Sequence, residues 1–561
     1  MNSRVYVVAT GAICALLVGC GGGSDASSSS PPPPPPPPAT ITRAEAFRFL
    51  NQASFGATDE AAQQVISQGY EPWIDAQLAL PASLELPAVD AAYAAMAPPV
   101  NNFAPLQGDR VAAWFENSVR GNDQLRQRVA FALSEIMVVS EVSLKQLPWA
   151  VADYYDTLAR DAFGSYRQLI EDVTLHPAMG VYLSMLGNHK PDAALNIRPD
   201  ENYARELMQL FSIGLVQLNL DGSTTLDGQG QPIPTYDQAT VEGFAHVYTG
   251  WNWAGGASFR QARPSIANQS LPMQAYAVQH DTGQKLVLGY PGAALQTIPA
   301  GQTPVEDLAD ALDNIANHPN VAPFVSLRLI QRLVTSNPSA AYVARVATVF
   351  NDDGTGQRGN LGAVVKAILL DSEARTTPAA DTDGKLKEPL LRLTQLWRAY
   401  NVSSGSGKLV VPQLSDVLGQ KPLQAPSVFN FFSPFYGPPG EITDQGLVAP
   451  EMQIATEYQN TQVTNYLFAT AFCYIPKPLA VCPARQANSP ILDTAAETAV
   501  MANSGQLVDK IADRLLAGRI SPALRTEAVR QVDLIPTNLP ELRVAEALFL
   551  ISSSPEFARQ P

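Results

Sequence analysis

Basic residues are scarce in this 561-residue chain: 37 lysines and arginines stand against 52 aspartates and glutamates, giving a net charge of -15 and a pI near 4.9. Without a basic surface to collect phosphates, nucleic acid drops out as an expected partner. The chain also lacks the short motifs that announce common chemistries. It has no Gly-x-Ser-x-Gly elbow, no His-Glu-x-x-His pair, no Walker loop, no dinucleotide fingerprint set between a strand and a helix, and no Cys-x-x-Cys-His. Elbow-type lipases, zincins, nucleotide enzymes and cytochromes are therefore poor descriptions, and no cofactor or metal is expected. Carboxylate chemistry is left open. What the chain does have is 46 prolines and 37 glycines in a sequence that is 46% hydrophobic, the composition of many elements joined by long, stiffened loops. Its length allows two to four domains or one large helical one.

The apolar run at residues 5–18, preceded by Arg4, is too short to span a bilayer and fits the core of a signal peptide. It ends in Leu17-Val18-Gly19-Cys20, which resembles the bacterial lipobox. Residues 1–20 are thus expected to be a lipoprotein signal, with Cys20 carrying the lipid. Gly21 after it points to the outer membrane. Residues 21–40 form a tether: GGGSDASSSS is a flexible coil, and Pro31 to Pro38 should extend as polyproline II for about 25 Å at ~3.1 Å per residue. The folded body is expected from Ile41 to residue 561, exported and lipid-anchored to the envelope. Of the four cysteines, Cys14 leaves with the signal and Cys20 is lipidated. Cys473 and Cys482 remain, and in an oxidising compartment they are expected to close a small disulfide loop.

Apolar spacing predicts short helices over 42–80, broken at Gly56 and Gly69, then helices over 111–139, 149–163, 166–185 and 200–215. A further helix should begin at Thr235, with Gln238 completing a capping box, and end at Gly250. Helical spacing returns over 305–350, 361–374, 386–400 and 501–557. Residues 218–234 read as an excursion or small hairpin. Residues 254–300 lose the 3.6-residue period, and AYAVQHDTGQKLVLGY predicts two short strands around an Asp281-Thr282-Gly283 turn. The expected fold is mainly α, a large multi-helix domain with one or two small β-hairpin excursions.

Residues 200–215, DENYARELMQLFSIGL, concentrate polar groups on an amphipathic helix. Tyr203, Leu207, Leu210 and Phe211 make the apolar stripe, while Glu201–Arg205 and Asn202–Glu206 are i, i+4 rungs on the other side. Together with FRFLNQASFGATDE, DQATVEGFAHVYTGW, HDTGQKLVLG and LGQKPLQAPSVFNFF, this segment resembles the bacterial family catalogued as domain of unknown function 1800. The resemblance covers the body from about Ile41 to the C-terminus. It implies an exported, largely helical protein and supplies no reaction. Many relatives carry a Pro-Pro-Asn-Val-Lys-Gly-Trp-like segment where this chain has Ala425-Pro426-Ser427-Val428-Phe429-Asn430-Phe431.

Two functional readings follow. In the first, a hydrolase-like enzyme acts on an extracytoplasmic polymer, a glycan for preference. Glu206, at the edge of the core stripe where burial raises a carboxyl pKa, is the acid candidate and Asp281 the base. His280 and Lys285 flank the turn as ligand-binding donors, Glu201, Asn202 and Arg205 line the helix, and Trp251 and Trp253 offer rings for stacking. In the second, a non-catalytic scaffold or binding lipoprotein uses the same helix as an internal brace. His246, four residues after Glu242, is weak evidence for a metal without a third ligand. His176 and His318, each before a proline, are more simply helix caps.

Overall fold

In the computed structural model, residues 40–97, 101–376, 383–480 and 482–560 are described. The expected signal, Cys20 and the tether lie outside them. From Ile41 onward the chain packs as one unit. Capping chemistry sets many of the helix starts. Thr42 opens Arg43–Ala53, and Thr303 opens Pro304–Ala316, both through a capping box with the glutamate three residues on. The helix Gln124–Ser134 is buried along its whole length and packs against Leu106–Arg120, Pro148–Asp161, Val321–Leu333 and Tyr70–Leu78. One continuous apolar core runs through these helices, with a small satellite of Val89, Leu106, Trp149 and Ala152.

The fold is mainly α. Among the described residues the β structure is three two-stranded antiparallel ladders: Trp251–Asn252 with Gln274–Ala275, Lys285–Leu286 with Thr297–Ile298, and Lys385–Leu386 with Arg559–Gln560. The hairpin predicted around Asp281 is a misreading. Its two arms pair with different partners, because residues 277–279 turn as a 3-10 segment before the chain reaches Lys285. Residues 218–234 form the expected excursion, held by single bridges such as Leu218 to Thr224. Two helices in a stretch given no period by sequence are Leu414–Leu418 and Glu457–Cys473. Cys473, at the end of the second, is disulfide-bonded to Cys482.

Candidate functional site

The polar segment begins as the short α-helix Asn202–Glu206 and continues as a π-helical turn, Leu207–Ser212. Ser212 Oγ donates to the Leu207 carbonyl and Ile213 N–H to that of Met208, both five residues back. Arg205 pairs with Glu201 at 2.8 Å, and Gln238 of the helix Gln238–Val247 joins them, donating to Glu201 at 2.9 Å and accepting from Arg205 at 3.2 Å. The expected Asn202–Glu206 rung does not form among the described residues: Asn202 is exposed, while Glu206 turns inward and is buried. Its Oε2 and the Tyr236 hydroxyl beside the same helix pair are buried with no partner among the described residues. Burial raises the Glu206 carboxyl from its ordinary value, with Arg205 pulling the other way.

The next helix is capped by Asp237, which accepts from Thr240 N–H at 2.9 Å. Thr235, expected as its start, instead donates to the Gly214 carbonyl. Gln238, Glu242 and His246 fall on one face of this helix at i, i+4 and i+8, so the stripe runs ~12 Å from the Glu201–Arg205 pair to the other end. There His246 Nδ1 is hydrogen-bonded to Asp281 Oδ2, with side chains 33% and 19% exposed. Burial pushes the Asp281 carboxyl up. The Gly283 N–H, the bond and charge of His246, and Lys285 outweigh it and hold the group below its ordinary value. Gly243 lets the strand Lys285–Leu286 lie directly on this helix, since a Cβ there would sit 1.9 Å from the Leu286 carbonyl oxygen.

His280 and Lys285 are not presented at a turn, which corrects the expectation for both. His280 Nε2 lies 2.8 Å and Lys285 Nζ 2.5 Å from Asp307 Oδ2, and all three side chains are shut off from solvent. Gly250, at φ +86°, lets its backbone lie directly against His280, since a Cβ there would sit 2.9 Å from the His280 nitrogen. Trp251 and Trp253, expected to offer a ring for stacking, are both buried. His176 caps the helix Pro177–Tyr182 as expected, accepting from Ala178 N–H at 3.1 Å, whereas His318 accepts from Asn320 N–H at 3.1 Å in the turn before Val321–Leu333, whose N-cap is Asn320.

A larger polar cluster escapes sequence reasoning. Glu135, Glu388, Lys385, Arg332 and Glu451 meet in the core, with Lys385–Glu451 at 2.9 Å and Arg332–Glu135 at 3.7 Å. Gln420 donates to Glu388 at 2.7 Å and Asn430 to Glu135 at 3.3 Å, so the late segment LGQKPLQAPSVFNFF supplies two of its polar caps. Burial and the neighbouring Glu388 raise Glu135 well above the carboxylate range. Its residues are spread over some three hundred positions, and the available signal was charge placed at core-facing positions. Residues 354–359 spell Gly-x-Gly-x-x-Gly, but they join two helices, and Asp352 and Asp353 accept from their N–H groups, occupying donors a phosphate would use.

Among the described residues no group of three or more His, Cys, Asp or Glu side chains is placed to hold a metal ion, and no helix is long and apolar enough to cross a membrane. A family model described as "Protein of unknown function (DUF1800)" matches residues 48–559. No curated protein and no solved structure matches the chain.

Proposed function

The chain belongs to the DUF1800 family of proteins of unknown function, and since that membership supplies no reaction we propose, from its own residues, a lipid-anchored envelope protein with hydrolase-like chemistry on an extracytoplasmic polymer, glycan first. The observation that carries this reading is the contrast between two carboxylates flanking one helix. Glu206 is buried, one of its oxygens has no partner among the described residues, and burial raises its carboxyl from the ordinary value. Asp281 is partly exposed and is kept ionised by His246 and the Gly283 N–H. Two carboxyls whose surroundings shift them in opposite directions are the pattern from which acid and base roles are assigned. The tryptophans play no part, because both rings face the interior. A second, non-catalytic scaffold reading is favoured by the Glu201–Arg205–Gln238 ladder, which ties two helices together without offering a reactive group.

One pair of substitutions separates the readings. Glu206→Gln and Asp281→Asn keep the shape of each side chain and remove its proton chemistry, so each should lower turnover on a panel of envelope and extracellular glycans by ~100-fold or more. Melting should change little. Wild-type inactivity on every glycan, or full turnover in either variant, would sink the enzyme reading and leave the scaffold. Anchoring is tested separately: mass spectrometry of the mature N-terminal peptide should find lipid on Cys20, and an unmodified Cys20 removes the anchor.

A further inference from the structure

The first helix of the body and the last residues of the chain enclose a cavity of about 590 Å³. Its lining carries four cations, Arg48, Lys387, Arg519 and Arg559, and one carboxylate, Glu556. That carboxylate is already engaged, accepting from Ser521 N–H at 3.0 Å and from its hydroxyl at 2.5 Å. In a protein of net charge -15, such a local excess of positive charge needs a physical reason.

The two deepest cations sharpen the question. Arg48, only 5% exposed, donates Nη1 to the Thr376 carbonyl at 2.7 Å and Nη2 to the Arg375 carbonyl, and its Nε is buried with no partner among the described residues. Lys387, 4% exposed, donates to Gln395 Oε1 at 2.6 Å and stands 4.1 Å from the centroid of the Phe557 ring. Neither forms an ion pair among the described residues. Neutral oxygens and a ring face compensate a buried charge only in part, so each cation is costly as it stands. Burial pulls the Lys387 ammonium well below its ordinary range, and Arg392 adds to the effect. An anion arriving in the cavity would relieve both groups at once. Leu515, Leu516, Ile520 and Pro555 make an apolar wall on the same space, and the volume falls in the range of organic-ligand pockets rather than of a bare ion.

We propose that this cavity binds a phosphate ester carried on an apolar body, with Arg48, Lys387 and Arg519 on the phosphoryl oxygens and the Leu515–Ile520 wall against the apolar part. Several converging cations fit a phosphate better than a carboxylate, because its oxygens can take a guanidinium fork and an ammonium together. The same chemistry serves a soluble phosphate monoester and a phospholipid headgroup.

Calorimetric titration of the full-length protein with hexyl phosphate, hexanol and inorganic phosphate tests the site. Hexyl phosphate should bind saturably and more tightly than inorganic phosphate, and hexanol should not bind. Lys387→Met, which keeps the packing on Phe557, and Arg519→Ala, at an exposed position, should each weaken hexyl phosphate by about tenfold or more. Arg519→Ala keeps the test decisive if the buried variant fails to fold. Phosphatidylglycerol-containing vesicles give the second arm. Vesicle binding that hexyl phosphate displaces identifies a lipid headgroup as the source, while hexyl phosphate binding without vesicle binding identifies a soluble ester. Unchanged hexyl phosphate affinity in Arg519→Ala, inorganic phosphate binding as tightly as the ester, vesicle binding that hexyl phosphate cannot displace, or no binding of any probe would overturn the proposal.

Discussion

At the scale of the residue, what a carboxylate does depends on its neighbours and its access to water, and the two aspartates on either side of Lys285 in space show both extremes. Asp281 keeps part of its surface in solvent and has a single histidine partner. Asp307 is fully enclosed and is held by both Lys285 and His280. Removing one partner of an enclosed ion pair leaves a charge with nowhere to go, so Lys285→Met should cost about 3 to 5 kcal/mol of stability. The exposed Glu201–Arg205 pair supplies the control, since Arg205→Ala should cost no more than ~1 kcal/mol. Urea unfolding of both variants measures the difference. Equal, small losses would mean that the buried triad contributes nothing to the fold beyond its surface counterpart.

At the scale of the element, legibility followed the hydrophobic period. Stretches whose apolar residues repeat at helical spacing, such as Pro304–Ala316 and Val321–Leu333, could be read directly. Glu457–Cys473 could not, because its buried stripe includes Gln459 and Thr470, polar side chains that satisfy themselves on carbonyls, Gln459 on Val417 and Thr470 on Tyr466. Residues 200–215 carry the spacing of one uniform helix, yet the second half widens into a π turn that no residue pattern announces. The same limit applies to the site. Glu201 with Arg205 was legible because i, i+4 geometry is local. The partners of Asp281, His280 and Lys285 were not, because His246 and Asp307 reach them from other helices and only tertiary packing chooses between them. A turn signal such as Asp-Thr-Gly identifies a reversal of the chain, but not which strand each arm will pair with.

At the scale of the whole molecule, distant segments meet over buried charge, and the cluster around Arg110 makes that measurable. Arg110 faces two carboxylates: Glu141 at 2.7 Å, which also pairs with Lys421, and Glu85 at 3.4 Å. Glu141 takes the closer contact, and Glu85 is left enclosed, with Asp156 bonded to its own N–H at 2.6 Å. Burial lifts the Glu85 carboxyl to about 8, Arg110 opposing and Asp156 adding to the rise. A folded-state value above the ordinary one means that the folded protein holds a proton the unfolded chain has released. The stability from this group is therefore complete below about pH 4.5 and is lost as the pH climbs toward 8. Glu85→Gln mimics the protonated acid and cannot titrate, while His318, lowered to about 4 by burial, and Asp161, raised to about 7, are common to both proteins. Their contributions cancel in the comparison. Between pH 5 and 8 the wild type should lose ~1 kcal/mol of unfolding free energy per pH unit relative to Glu85→Gln. Denaturant unfolding at a series of pH values measures that slope, and parallel curves for the two proteins would show that Glu85 is ionised in the fold and that Arg110 holds both carboxylates as charged partners.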